Sequence, residues 1–101
     1  MEGGLNMQND SSKERGWIMR ILDRVYPDGL DQDTVKKQLI DLKFLTSEAD
    51  IRSNVAYLVE KGLIRKQTVG AGELKRNVIS LTATGKDLLD GNILPVTGVN
   101  L

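Results

Sequence analysis

Three hydrogen-bonding side chains fall on one face of the stretch from residue 47 to residue 61: Arg52, Ser53 and Tyr57. Arginine can bond a guanine edge with two parallel donors, and a serine hydroxyl can serve a base or a phosphate. A tyrosine hydroxyl suits a phosphate or a sugar. The opposite face is predicted to be buried, because apolar residues recur there at helical spacing. That stripe consists of Ile51, Val55, Leu58 and Val59.

Four more residues extend this set of donors. Ser47 begins the stretch and is also a good helix N-cap, and Lys61 ends it. Lys75 and Arg76 follow in a loop, where they suit a neighbouring phosphate row or a minor groove. The predicted nucleic-acid contacts are Ser47, Arg52, Ser53, Tyr57, Lys61, Lys75 and Arg76.

Two acids in the first turn of the same stretch weigh against this interpretation. Glu48 and Asp50 lie at the end that approaches a duplex first, where they would repel phosphates. A glutamate can accept a bond from cytosine. A favourable interaction with the helix dipole explains both acids at least as well.

Enzymatic chemistry finds little support in this sequence. The chain has no cysteine and no histidine, which excludes disulfides, a zinc cluster, a Cys or His nucleophile and a His proton shuttle. The serines accordingly have no histidine partner. Gly70-Ala-Gly72 opens no helix and is better interpreted as a turn than as a phosphate loop. We expect no catalytic site, no cofactor and no metal.

Charge is balanced overall and uneven along the chain. The net charge of zero argues against general, charge-driven binding of nucleic acid. Residues 29–50 carry three lysines and five acids, whereas residues 51–76 carry six basic residues and two acids. The positive charge therefore gathers on the elements that carry the predicted contacts, although an ordinary solvated surface can also be uneven.

The length of 101 residues and the 40% of apolar residues fit one small globular domain. No run approaches the roughly 20 apolar residues of a membrane span, and the N-terminus lacks a signal-peptide pattern. These features predict a cytoplasmic protein. Residues 1–12 are polar and Gly-rich, and we expect a flexible leader there, ahead of a domain at 13–91 and an extended tail at 92–101.

Two amphipathic helices precede the stretch 47–61. The first is expected from Lys13 to Tyr26, with Trp17 beside its apolar stripe, and the second from Asp31 or Asp33 to about Lys43. Leu30 is expected to contact a later hairpin. The two stripes and the apolar turn that follows, which we expect to be tucked under the helices, comprise Ile18, Ile21, Leu22, Val25, Val35, Leu39, Leu42, Phe44, Leu45 and Thr46.

A hairpin and a last helix follow Gly62, which suits a helix C-terminus. The strands are predicted at Leu63–Val69 and Asn77–Leu81, and Thr82 is expected to cap a helix from Ala83 to Leu89 that Gly91 ends. This order predicts a mainly α fold with a small β-hairpin, the winged helix-turn-helix: a three-helix core, a wing hairpin and a C-terminal helix.

The chain also resembles a known group of proteins over residues 14–98. It is similar to small ArsR-like winged-helix proteins of Mu-like prophages, and its strand-to-helix junction is similar to that of MarR-like and ArsR-like repressors. The resemblance implies a DNA-binding regulator. Metal sensing is not implied, because the chain lacks Cys and His. The segments that carry the resemblance are Thr46-Ser-Glu-Ala-Asp-Ile-Arg-Ser-Asn-Val-Ala-Tyr-Leu58, Lys61-Gly-Leu-Ile64, Leu81-Thr-Ala-Thr-Gly85, and Gly91, Pro95 and Gly98 in the tail.

Two functions from different classes remain open at this point. The first is a phage or prophage transcription regulator that reads double-stranded DNA with the helix 47–61 and the wing 63–81. The second is a winged-helix module that binds a protein of a phage or regulatory assembly, with the apolar tail as a docking strand.

A weak homodimer is the last expectation from the sequence. One recognition helix reads few base pairs, so useful specificity usually requires two copies. Trp17 and the apolar tail, residues 92–101, could form a two-fold patch in which each tail covers the first helix of the partner. The alternative is that both simply cover their own domain.

Overall fold

A computed structural model describes residues 2–101, with side chains from residue 11 onward. Its described residues form helices around a three-stranded antiparallel sheet of order β1-β3-β2. The elements are α1 (Glu2–Asp23), β1 (Gly29–Asp31), α2 (Gln32–Asp41), α3 (Glu48–Glu60), β2 (Ile64–Val69), β3 (Arg76–Leu81) and α4 (Ala83–Leu89). The predicted winged helix-turn-helix is confirmed, and β2 and β3 form the wing.

Helix α1 begins at Glu2, well before the predicted start at Lys13. The prediction rested on an apolar period that begins at Ile18, and such a period carries no information about a polar extension of the same helix. Met1 and the side chains of residues 2–10 lie outside the described part of the chain. The flexibility of the leader 1–12 therefore stays a prediction.

The core is built by the predicted helical stripes together with the wing. Met19, which the period of α1 did not mark, is fully buried as well. The buried apolar residues include Ile18, Ile21 and Leu22 of α1, Val35 and Leu39 of α2, Ile51, Val55 and Leu58 of α3, and Ile79, Leu81 and Leu88.

Three residues predicted to be buried are exposed, and Val25 and Phe44 are half-buried. Leu42 is 43% exposed because α2 ends at Asp41 and the helical period stops with it. Leu45 is 97% exposed, because the turn buries Thr46 and half-buries Phe44 but leaves Leu45 in solvent. Val59 is 38% exposed because it lies on the flank of the stripe of α3.

The sheet joins the start of α2 to the wing. Leu30 pairs with Ile79 across β1 and β3, which confirms the predicted edge contact. In the wing, the register runs from Ile64 opposite Leu81 to Val69 opposite Arg76. The tip closes with a short 3-10 turn at Gly72–Leu74. One strand of three residues thus fixes the wing to the helix-turn-helix.

The junction between β3 and α4 explains the Leu-Thr-Ala-Thr-Gly motif. The Thr82 hydroxyl donates to the Gly62 carbonyl at 2.7 Å and accepts from the Gly85 amide at 3.0 Å. The Thr82 amide donates to the Leu63 carbonyl at 3.1 Å. A Cβ atom on Gly85 would collide with that same carbonyl of Leu63. The motif therefore locks α4 onto the turn that ends α3.

An ion pair ties α4 to the end of α1. The Lys86 ammonium lies 2.8 Å from Asp23 Oδ1 and 3.5 Å from Asp90 Oδ1. The hydrogen bond to Asp23 is the main reason why the pKa of Lys86 is raised above its ordinary value. The raised pKa means that the charged pair stabilises the fold at neutral pH, and that this contribution is lost as the pH rises through that value.

We predict that Gly85→Ala destabilises the domain by about 1–3 kcal/mol, because the added methyl overlaps a backbone carbonyl that cannot rotate away. This loss outweighs the better helix propensity of alanine, worth about 1 kcal/mol. Urea unfolding measures it. Thr84→Ala, an exposed change in the same turn, is the control and should leave stability nearly unchanged. Equal stability of the two variants would contradict the tight junction.

Candidate nucleic-acid interface

The outer face of α3 is a ridge of small side chains interrupted by one arginine. Arg52 and Ser53 are both exposed, and within the described residues neither side chain has a hydrogen-bond or ion-pair partner. Ala49 and Ala56 are exposed on either side of them. A ridge of this kind can come close to a surface, and its free donors can then bond to the edges or backbone of a duplex.

Ser47 is the N-cap of the same helix. Its hydroxyl accepts from the Asp50 amide at 3.1 Å, and the Asp50 carboxylate accepts from the Ser47 amide at 3.1 Å. This reciprocal capping box is worth about 1 kcal/mol. Ser47 is an exposed residue, and a serine hydroxyl that accepts one bond can still donate its own proton.

The two acids that weigh against a nucleic-acid contact are both engaged. Asp50 closes the capping box, where the positive end of the helix dipole favours its charge. Glu48 lies 3.2 Å from the Lys36 ammonium of α2. Their repulsion of a polyanion is therefore reduced at the end of α3 that was expected to approach a duplex.

Basic side chains line the exposed part of the wing. Arg65, Lys66 and Lys75 are exposed. Arg76 is also exposed, and its Nε lies 3.5 Å from Asp31 Oδ2. Asp31 at the same time caps α2 by accepting from the Asp33 amide at 2.9 Å. One of the two predicted wing cations is thus partly neutralised, whereas Lys75 forms no ion pair within the described residues.

Tyr57 lies at the edge of α3 and is engaged by the tail. Its hydroxyl donates to the Thr97 carbonyl at 2.7 Å. The Arg15 guanidinium stacks 3.9 Å from the centre of its ring, and Lys61 Nζ lies 5.4 Å from the same centre. A phenol has one proton to donate. The sequence predicted that this hydroxyl contacts a phosphate or a sugar. While it donates to Thr97, it cannot also donate to a phosphate.

A buried polar network behind α3 escaped the sequence analysis. Glu14, only 5% exposed, accepts from the Thr46 hydroxyl at 2.9 Å and from the Asn54 amide nitrogen at 2.8 Å. Asn54 in turn accepts from Arg15 Nε at 3.0 Å. One signal was visible in the sequence, because Asn54 falls on the apolar stripe of α3, where a polar residue requires a buried partner.

The tail, residues 92–101, packs on its own domain in this single chain. Arg15 Nη1 donates to the Gly98 carbonyl at 3.1 Å, and the Asn100 amide donates to the Ser12 carbonyl at 3.1 Å. Val96 and Val99 contact the core. Trp17 lines a groove between α1 and α2. Within one chain, the tail thus covers its own domain. Tail exchange, in which each tail would cover the first helix of a partner, stays a prediction.

Neither a metal-ligand cluster nor a helix that could span a membrane occurs among the described residues. No group of three or more potential ligands among His, Cys, Asp and Glu occurs in the described part of the chain. None of its helices is both long and apolar enough to cross a bilayer.

Several solved structures share this fold. A PadR-like transcription factor from Bacteroides fragilis has a TM-score of 0.71 and 16% sequence identity, over 88% of this chain and 84% of that chain. A mutant of MepR from a multidrug resistant S. aureus clinical isolate has a TM-score of 0.63 and 24% identity, over 81% and 56% of the two chains.

PadR from Bacillus subtilis, solved in complex with operator DNA, has a TM-score of 0.58 and 18% identity, over 79% of this chain. The chain spans about half of that protein, 49% of its length. No protein-family model and no curated protein matches the chain. At these identities the likeness is one of fold. The chain therefore shares its winged-helix fold with the PadR-like transcription factor, with PadR and with MepR.

Proposed function

We propose that this protein is a transcription regulator that binds double-stranded DNA with α3 and the wing. The observation that carries the proposal is the exposed ridge of α3, where Arg52 and Ser53 have no partner among the described residues and are flanked by alanines. Fold likeness supports it, because the Bacillus subtilis PadR structure was solved with operator DNA. A regulator of this kind acts in the cytoplasm and catalyses no reaction.

The charge distribution favours specific over general binding. With a net charge of zero, the chain gains little from counterion release alone. Local contacts must then supply the affinity, and the engagement of Glu48 by Lys36 and of Asp50 by the cap removes part of the repulsion that would oppose them. We therefore expect a binder whose affinity depends strongly on sequence.

A prophage origin is the finer part of the proposal. It rests on the resemblance to ArsR-like proteins of Mu-like prophages, whereas the fold likeness is to PadR and MepR structures. The rival function, docking to a phage protein through the tail, is less favoured. Two carbonyls and two apolar side chains of the tail are already occupied on the chain's own domain.

We predict that Arg52→Ala weakens binding to a cognate duplex by about 1–3 kcal/mol and relaxes the preference at one base pair. The measurement is a titration with the region upstream of the protein's own gene, against random duplex of equal length, at two salt concentrations. Arg24→Ala, an exposed arginine near the end of α1, is the matched control. The proposal fails if wild-type protein binds both duplexes equally or binds neither.

We predict that Lys75→Ala weakens binding to every duplex by a similar factor, because an exposed cation at the wing tip contacts backbone phosphate and not bases. The slope of log affinity against log salt should fall by about one. Lys37→Ala, an exposed lysine of α2, is the control. A loss confined to one sequence would instead place Lys75 at a base edge.

We predict a weak homodimer, because a single recognition helix reads few base pairs. Sedimentation at micromolar concentrations measures it, with wild-type protein and a variant that lacks residues 92–101. A dimer that disappears with the tail supports tail exchange, in which the contacts of Thr97 and Gly98 are made to the partner. A monomer at every concentration, or a dimer that persists without the tail, would contradict it.

A further inference from the structure

We propose that the tail covers a second phosphate-binding subsite at the edge of α3, formed by Arg15, Tyr57 and Lys61, and that tail and DNA backbone compete for it. This inference rests on the proposed function and adds a site and a regulation to it. The tail would then set the affinity for any duplex, whereas Arg52 and its neighbours would set the sequence preference.

Two of the three groups of this subsite donate to consecutive carbonyls of the tail. Arg15 Nη1 donates to the Gly98 carbonyl at 3.1 Å, and the Tyr57 hydroxyl donates to the Thr97 carbonyl at 2.7 Å. Arg15 lies 3.9 Å and Lys61 5.4 Å from the centre of the Tyr57 ring. The Arg15 guanidinium and the Tyr57 hydroxyl thus lie together at the tail, and Lys61 places a second cation near the same ring.

The tail is a weak occupant of such a region. Within the described residues, no carboxylate forms an ion pair with Arg15 or Lys61, so the tail supplies neutral carbonyl oxygens where two positive charges lie. A phosphate carries a full negative charge and several acceptor oxygens, and charge-assisted hydrogen bonds are roughly twice as strong as neutral ones. Phosphate therefore fits these donors better than the present acceptors do.

Arg15 stays positioned when the tail leaves. Its Nε donates to Asn54 Oδ1 at 3.0 Å, and Asn54 is 3% exposed and is itself bonded to the buried carboxylate of Glu14. These bonds involve α1 and α3 only. The guanidinium is therefore held beside α3 before any ligand arrives, which reduces the entropic cost of binding a phosphate.

One of the contacts that hold the tail is made at Gly98, where a single substitution can disturb it. Gly98 adopts a φ of +87° and lies so close to Tyr57 that an added Cβ would collide with the phenol ring. Further along, the Asn100 amide donates to the Ser12 carbonyl at 3.1 Å. The residues from 92 to 101 form no helix or strand, so their release breaks no regular element.

The test uses two glycines of the full-length chain. Gly98→Ala forces a side chain against Tyr57 and should release the tail, which is read as faster hydrogen exchange at the amides of residues 99 and 100. Gly91→Ala is the matched control: Gly91 also has a positive φ, +77°, but an added Cβ there meets no atom within 4 Å. Both variants bear backbone strain, and only the first meets the Tyr57 ring.

Affinity is measured with a random duplex and with the upstream duplex at several salt concentrations. Gly98→Ala should bind both about fivefold more tightly, with a salt slope steeper by about one because one more phosphate is contacted. Gly91→Ala should match the wild type. Adding Arg15→Met to Gly98→Ala should abolish both gains while the tail stays released.

Three other results would contradict either the subsite or the proposed function. A released tail with unchanged or weaker binding would overturn the subsite and leave DNA binding intact. Amides that stay protected in Gly98→Ala would also overturn it, because the glycine contact would then not hold the tail. The absence of duplex binding by the wild type and by every variant would instead defeat the proposed function itself.

Discussion

The arrangement of this domain depends on one buried carboxylate. Glu14 lies in the interior, where an ionised group is costly unless it is hydrogen-bonded. Its two oxygens accept from Thr46 in the turn before α3 and from Asn54 within α3. These bonds fix the entry and the middle of α3 relative to α1. The apolar stripe of α3 alone could slide or rotate slightly, whereas two directional bonds specify one orientation of the helix.

The same network reaches from the core to the surface. Asn54 bonds Glu14 with its nitrogen and Arg15 with its oxygen, so one buried amide links a core carboxylate to a guanidinium at the edge of α3. From Arg15 the contacts continue to the Tyr57 ring and to the tail. Arg15, which touches the tail, is therefore supported by two groups that are almost fully buried, and such support is what precise positioning of a site requires.

Local sequence signals predicted most of the fold. Ser47, Thr82 and Gly91 occupy the expected capping positions, because a cap is decided by residues within one turn of it. The errors in the core have different causes. Leu42 is exposed because the helical period was extended past the end of α2 at Asp41, where the sequence has no strong stop signal. Leu45 lies in a turn that buries Thr46 instead, and Val59 lies on the flank of the stripe of α3.

The surroundings of the candidate site were less predictable than its residues. Arg52 and Ser53 follow from the helical period alone, and they lie on the exposed face as predicted. Tyr57 lies on an edge whose partner is 40 residues away in the chain. No period or motif encodes such a contact, since it depends on how the tail folds back over α1. Whether any of these residues contacts DNA stays a prediction.

The position of the tail on α3 also links two equilibria. Any group that binds Arg15 and Tyr57 in place of the tail must favour the state with the tail released, and any partner that orders the tail must disfavour that binding by the same factor. The proposed coupling requires no movement of α3, because the bonds of Glu14 to Thr46 and Asn54 involve no residue of the tail. Under this proposal, the affinity of the domain for a duplex depends on what else binds residues 92–101.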